Sequence, residues 1–178
     1  EGLRVKFFVG LHQPADAKRV SGPAFISVHR LRTRKSDLKV GDWIMDSGAF
    51  TTIAKHGGYP EPVAEYAAQI KRWSRCGNLL AAVAQDYMCE PHMVSKTGLS
   101  IAEHQRLTVA RYDELLACDH GDTYIMPVLQ GYAPQDYVEH LRMYGSRLAH
   151  GAWVGVGSVC KRNGNPLSVL LVLMAIKD

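Results

Sequence analysis

Short apolar runs alternate along the chain with longer segments in which apolar residues recur every three or four positions. The short runs are rich in β-branched, aromatic or small residues, as buried strands are. The longer segments have one apolar face, which is typical of helices that pack on a sheet. We predict strands at residues 5–9, 24–28, 43–45, 79–84, 124–129 and 153–157. We predict helices at residues 62–75, 100–118 and 134–144, and a final helix from residue 166.

Local signals mark where several of these helices begin. Ser100 and Glu103 form a capping-box pattern in front of the second helix. Asn165 and Pro166 are a typical start for the final helix, which is apolar on nearly every side. We therefore expect the final helix to be buried, and we predict a loop at residues 55–60.

Strands that alternate with helices favour a parallel sheet of the α/β class with right-handed crossovers. We predict one domain over residues 1–178, built as a (β/α)8 TIM-type barrel that is incomplete, with about six strands present. The small residues of the fourth and sixth strands fit a barrel interior or a ligand that approaches the backbone. A flavodoxin-like open sheet is the alternative.

Polar groups follow four of the predicted strands. Asp46 ends the third strand, Asp86 follows the fourth and Gln130 follows the fifth, while residues 155–158 expose backbone groups after the sixth. In a barrel these strand ends converge on one face. Two carboxylates, an amide and free peptide groups match the hydrogen-bonding edge of a purine. The pattern therefore indicates a guanine-like ligand.

The turn after the third strand adds further candidate contacts. Gly48 would let the backbone approach a ligand closely, and Phe50 offers a flat face on which a ring can stack. Met88 could cover the other face of that ring. The alternative is an ordinary surface turn in which Asp46 caps its own backbone.

Composition excludes several classes of protein. The 178 residues carry a net charge of +4 and no apolar span of 18 residues, so we expect no membrane segment. The first residues lack a signal-peptide pattern, which favours a cytoplasmic location. The four cysteines are widely spaced and the histidines show no ligand spacing, so we expect no metal and no cofactor.

Positive charge is concentrated after the second strand, where basic side chains suit a phosphate backbone. A solvated loop is the alternative. The candidate nucleic-acid contacts are Arg30, Arg32, Arg34 and Lys35.

Four segments together resemble a known family. Residues 46–50 (Asp-Ser-Gly-Ala-Phe) look like the Asp-Ser-Gly-Gly-aromatic motif of the tRNA-guanine transglycosylase superfamily. Residues 83–86 and 128–131 resemble its base-recognition strands, and residues 154–157 resemble its Gly-Gly segment. The order and approximate spacing agree over nearly the whole chain. The chain is most similar to the branch that inserts 7-deazaguanine bases into DNA.

This resemblance implies an enzyme that exchanges guanine in DNA for a 7-deazaguanine base through a covalent enzyme–sugar intermediate. Asp46 would be the general acid/base or a carboxylate on the base side, near the exchanged base. The substrate-binding residues would be Ser47, Gly48, Phe50, Asp86, Met88, Gln130, Gly131, Gly157 and Ser158.

The chain also departs from that family. The aspartate nucleophile and the cysteine-rich zinc site of the family are expected beyond Asp178, so we expect this chain alone to be inactive. A homodimer or a partner chain could complete the barrel. The basic pair Lys161 and Arg162 disfavours a base with a cationic substituent.

Three other hypotheses stay open at this point. The substrate could be tRNA, or the chain could be a non-catalytic subunit that binds purines and nucleic acid. An unrelated barrel enzyme, such as a phosphosugar lyase or a decarboxylase, is the third.

Overall fold

A computed structural model describes residues 5–162 and 164–177. The strands are β1 (Val9–Gly10), β2 (Ala24–Ser27), β3 (Asp42–Asp46), β4 (Asn78–Val83), β5 (Ile125–Met126), β6 (Val128–Leu129) and β7 (Gly155–Val156). The α-helices are α1 (Ala49–His56), α2 (Val63–Trp73), α3 (Pro91–Thr97), α4 (Ile101–Ala117), α5 (Pro134–Tyr144) and α6 (Pro166–Ile176).

The strands form two parallel sheets, so the predicted α/β class is confirmed. One sheet has the order β1-β2-β3-β4-β5, and the other consists of β6 and β7. The central register aligns Met45 with Ile26 on one side and with Ala82 on the other. This order follows the chain, whereas a flavodoxin-like sheet places its second strand outside its first.

The predicted fifth strand is divided between the two sheets at Pro127. Residues before it pair with β4, and residues after it pair with β7. Pro127 has no N–H to donate, but its carbonyl oxygen accepts a hydrogen bond of 2.8 Å from the Gly155 N–H. One extended segment thus joins the two sheets.

The main core lies between the sheet and helices α2, α4 and α5. The predicted apolar stripe of α2 is buried as expected, and its Tyr66 hydroxyl donates to the Val83 carbonyl at 2.8 Å. Trp43 of β3 is fully buried, and its indole N–H donates to the Cys76 carbonyl at 2.8 Å. These bonds satisfy the polar ends of two large core side chains.

Two predictions about apolar segments are wrong. Val5 and Phe7 are 88% and 76% exposed, and Val9 is the one residue of the first predicted run that lies in β1 among the described residues. Helix α6 is mostly exposed instead of buried, because α5 is the one helix within residues 5–162 and 164–177 that it contacts substantially. Its exposed apolar residues are Leu167, Leu170, Leu171, Leu173 and Met174, while Val172 is fully buried.

Other local predictions can be scored directly. The capping box at Ser100 and Glu103 is present, and α5 has the predicted bounds. Helices α1 and α3 were not predicted, and α1 occupies the start of the predicted loop at 55–60.

All four cysteines are free. Among the described residues, no helix has the length and apolar composition needed to cross a membrane.

Candidate functional site

A cavity of about 990 Å³ opens where β2, β3, β4, β6 and β7 end. The carboxyl ends of parallel strands are the usual ligand-binding edge in α/β proteins. Its wall includes Asp46, Gly48, Phe50, Asp86, Met88, Glu90, Gln130, Gly157, Ser158 and Lys161.

Asp46 is the last residue of β3 and is half-buried at the cavity wall. Its Oδ2 accepts a hydrogen bond of 3.1 Å from the Gly48 N–H. Burial raises the pKa of Asp46, while hydrogen bonds from Gly48 and Ser27 oppose the increase. A raised pKa brings a carboxyl group closer to the range in which general acids and bases work.

Gly48 holds the turn between β3 and α1 in a left-handed conformation with φ of 71°. A Cβ atom here would lie 2.3 Å from the ring of His29. The His29 Nε2 is 3.1 Å from the Gly48 carbonyl and 3.0 Å from the Thr52 hydroxyl. His29 therefore packs directly on the turn that carries Asp46.

A chain of four buried side chains runs along the cavity wall. The Gln130 Nε2 donates to Asp86 Oδ2. The Ser158 Oγ lies 2.6 Å from Gln130 Oε1 and 2.8 Å from Glu90 Oε2, and it accepts a 2.9 Å hydrogen bond from the Cys89 N–H. Ser158 has a φ of 56°, which makes it the one non-glycine among the described residues with positive φ. Such strain at a cavity wall is common in binding sites.

The pKa of Asp86 is raised to about 7 by burial, with smaller increases from the nearby Asp46 and Glu90 charges and an opposing effect from Gln130. A buried acid that titrates near neutral pH is a candidate functional group.

Helix α4 supports the strand ends from behind. The Gln105 Nε2 donates to the Gln130 carbonyl at 2.7 Å, and the Tyr87 N–H donates to the Thr108 hydroxyl at 2.9 Å. On α5, His140 Nδ1 accepts a 2.7 Å hydrogen bond from the Gln130 N–H, and burial lowers the pKa of His140 to about 4. The backbone N–H and carbonyl of Gln130 are therefore both held by side chains of the supporting helices.

Two glycines allow this wall to be closely packed. A Cβ atom at Gly157 would lie 2.1 Å from the Gln130 Nε2, so the amide occupies the space that a side chain would need. A Cβ atom at Gly131 would lie 2.7 Å from the Asp136 Cβ. The Gly157 carbonyl accepts a hydrogen bond of 2.8 Å from the Tyr137 hydroxyl.

The mouth of the cavity carries an aromatic ring and a cation. Phe50 is 43% exposed, and the Lys161 Nζ lies 4.2 Å from the centre of its ring. Met88 is buried and belongs to a small apolar cluster under the cavity. Phe50 and Met88 both line the cavity.

The four basic candidates are dispersed. Arg30 lines the cavity and donates to His12 Nδ1 at 2.8 Å, whereas Arg32 pairs with Glu61 beside a smaller adjoining pocket. Arg34 donates to the carbonyl of Ser36, and the Lys35 carbonyl accepts from Arg72 at the end of α2. Arg34 and Lys35 therefore lie away from the cavity, near the end of α2 that leads into the start of β4.

Most of the predicted substrate-binding residues converge on the cavity. Ser47 and Gly131 are outside its lining, and the buried Ser47 hydroxyl has no hydrogen-bond partner among the described residues. Sequence reasoning missed Glu90 and His29. Glu90 meets Ser158 across 68 positions of the chain, a separation for which the sequence holds no signal. His29 follows β2 and could have been suspected from that place at a strand end.

Within residues 5–162 and 164–177, no three His, Cys, Asp or Glu side chains are grouped as metal ligands would be. The described residues therefore do not fit the zinc site that the resemblance to the transglycosylases implies.

Comparisons with known proteins place the chain in a family. A search of curated proteins and a search of solved structures gave no significant match. A family model described as "DeoxyPurine in DNA protein A" matches residues 3–174. This family is the 7-deazaguanine DNA transglycosylases, which are similar to tRNA-guanine transglycosylases. Because the match covers nearly the whole sequence, the chain belongs to the DeoxyPurine in DNA protein A family.

Proposed function

We propose that the cavity binds a guanine base of DNA, and the 7-deazaguanine base that replaces it, during a transglycosylase reaction. Membership of the family supports a role in 7-deazaguanine modification of DNA. The observation that carries the finer proposal is the contact between Asp86 and Gln130 over the bare backbone of Gly157. A carboxylate accepts from the N–H groups of guanine, and an amide N–H donates to its O6.

The roles of the other cavity residues follow from their positions. Gly48 brings backbone close to the base, and Phe50 stacks on it once Lys161 moves off the ring. Met88 packs against the opposite face. Ser47 and Gly131 would act by shaping the turns that carry their neighbours.

The exchange would proceed in two displacements. A carboxylate attacks C1′ of the sugar, the glycosidic bond breaks, and guanine leaves with the bonding electrons and gains a proton. The deazaguanine base then loses its N9 proton and attacks C1′, which releases the carboxylate. Asp46, with its raised pKa, would transfer these protons. The nucleophilic carboxylate is not assigned to a described residue.

The two sheets would be parts of one (β/α)8 barrel in a single domain over residues 1–178. The support is the chain-order pairing of β1 to β5 and the continuous segment through Pro127 that joins β5 to β6. In such a barrel all strand ends open on one face, which suits the position of the cavity.

The test is calorimetric titration with guanine and with 7-cyano-7-deazaguanine. We expect wild type to bind both bases and Asp86→Ala to lose at least about tenfold in affinity, because the N–H groups of the base lose their acceptor. Asp122→Ala is the matched control, since Asp122 is exposed and is not one of the residues that line the cavity. Failure of wild type to bind either base would contradict the proposal.

A further inference from the structure

Glu90 is a buried carboxyl group at the cavity wall that the proposed exchange does not use. It lies at one end of the chain of side chains Asp86, Gln130, Ser158 and Glu90, all of which are buried. Asp86 stands at the other end. Two acids are thus connected through one amide and one hydroxyl.

The hydrogens available for these contacts can be counted. Three contacts join the four side chains, and each needs one hydrogen between its two heavy atoms. The Gln130 amide supplies a hydrogen to only one of its two contacts, since its oxygen has none. The Ser158 hydroxyl supplies one more. The third hydrogen must be a carboxyl proton, because only the acids at the two ends remain.

Two arrangements satisfy all three contacts. In the first, the amide nitrogen faces Asp86, Ser158 donates to the amide oxygen, and Glu90 carries the proton and donates to Ser158. In the second, the amide of Gln130 is rotated by half a turn, Asp86 carries the proton, and Ser158 donates to Glu90. The Cys89 N–H donates to Ser158 in both, so the hydroxyl always donates one bond and accepts two.

We propose that Asp86 and Glu90 share a single proton through Gln130 and Ser158, and that Glu90 is a positioning residue that selects the orientation of the Gln130 amide. With the proton on Glu90, the base meets an ionised Asp86 and an amide N–H, which is the pattern complementary to guanine. With the proton on Asp86, this pattern is lost. The shared proton is inferred from the geometry of the four side chains. Only its effect on the binding of the base rests on the proposed function.

The surroundings favour one retained proton near neutral pH. Burial raises the pKa of Asp86 to about 7, and the charge of Glu90 contributes to the increase. Tyr59, Cys89 and Tyr137 around the network stay neutral because burial raises their pKa, and burial lowers the pKa of the adjacent His140. The other ionisable groups nearby are the acids Asp46 and Asp136 and the base Arg162.

Infrared spectroscopy of the protein without a base tests the sharing. We expect wild type at neutral pH to show the C=O stretch of a protonated buried carboxylic acid. Glu90→Gln and Asp86→Asn should each abolish that band, because an amide at either end brings its own hydrogen and leaves the other acid ionised. Glu65→Gln, on the exposed side of α2, is the matched control and should keep the band.

The possible results separate clearly. Loss of the band in both variants supports one shared proton. The proposal would be overturned if wild type lacked the band or if either variant kept it. Circular dichroism of each variant verifies that the fold is retained.

Titration with guanine tests the effect on orientation. Glu90→Gln should keep affinity within about threefold, because it fixes the first arrangement, while Ser158→Gly should lose about tenfold. Glycine is chosen because the φ of 56° at Ser158 suits it, so the fold is not strained. Wild-type affinity in Ser158→Gly would overturn the role of the network in orientation. If wild type binds no guanine, the proposed function fails. The infrared experiment still decides whether Asp86 and Glu90 share one proton.

Discussion

At the scale of single residues, the turn after β3 depends on the absence of a side chain at Gly48. Gly48 and Gly57 both have φ of 71°, but a Cβ atom would contact His29 at Gly48 and nothing within 4 Å at Gly57. We expect Gly57→Ala to lower the free energy of unfolding by about 1 kcal/mol through backbone strain alone. Gly48→Ala should cost about 1–3 kcal/mol more, because His29 must also move.

Urea unfolding of the two variants and of wild type measures this difference. Equal losses in both variants would mean that the contact between His29 and the turn does not constrain position 48.

Asp86 gives the protein a pH dependence whose sign can be stated. Its pKa is about 7 in the folded protein and near 3.8 in the unfolded chain. Between these values the folded state binds a proton that the unfolded state lacks, so the free energy of unfolding falls as pH rises and levels off above about pH 7. We expect wild type, relative to Asp86→Asn, to lose about 2–4 kcal/mol across that range.

Urea unfolding of both proteins from about pH 4 to about pH 8 provides the comparison. The free energies of unfolding of the two proteins are subtracted at each pH, because both contain His140. With its pKa lowered to about 4, His140 makes stability rise with pH over part of the same range. A constant difference at every pH would show that the Asp86 carboxyl titrates normally.

The sequence allowed some of these residues to be found. Asp46, Asp86 and Gln130 each follow a buried apolar run, and parallel strands bring their ends together. Glu90 follows no such run and owes its place to Ser158, which only the folded chain brings near. Adjacency to a strand end can be predicted, whereas a contact between distant loops cannot.

At the scale of elements, α4 carries the side chains that support the cavity wall, and its start is fixed by a capping box. The Ser100 hydroxyl accepts from the Glu103 N–H, while Glu103 accepts from the Ser100 N–H at 2.7 Å. We expect Ser100→Ala to lower the free energy of unfolding by about 1 kcal/mol. Ser95→Ala, at an exposed position within α3, is the control and should be nearly neutral. Urea unfolding measures both, and equal effects would exclude a contribution from the cap.

Elements defined by local chemistry were predictable, and those defined by distant partners were less so. The cap of α4 and the start of α5 at Pro134 lie in the sequence itself. Residues 5–8 have the apolar character of a strand, but no strand in the described part of the chain pairs with them. In α6 the apolar pattern indicated a helix correctly, yet burial depends on neighbours that the pattern does not specify.

At the scale of the whole molecule, the positive charge near the cavity should govern how DNA binds. Arg30 faces the cavity, whereas Arg34 is bound to the backbone of its own loop. We expect Arg30→Gln to weaken DNA binding and to reduce the slope of log affinity against log salt by about 1, as for one lost phosphate contact. Arg34→Gln is the matched control and should leave the slope unchanged. Fluorescence anisotropy in a salt titration measures both, and identical slopes for Arg30→Gln and wild type would exclude the contact.

The architecture at this scale was partly predictable. Alternation of strands and helices led to a parallel sheet, and the pairing in chain order is observed. The division of the fifth strand at Pro127 was not predicted. The Pro127 carbonyl accepts a hydrogen bond from Gly155, so the extended segment continues from one sheet into the other without an apolar break that the sequence would reveal.

The closely packed glycines determine which positions of the cavity could be redesigned. Gly157 in the cavity lining and Gly131 next to the lining residue Gln130 have neighbouring atoms where a side chain would begin, so a library of variants should tolerate almost no substitution there. Phe50 and Lys161, at the open mouth, contact each other and can be exchanged without disturbing the wall. A protein engineered to accept a bulkier modified base would therefore change at the mouth, while the wall of Asp86 and Gln130 remained as it is.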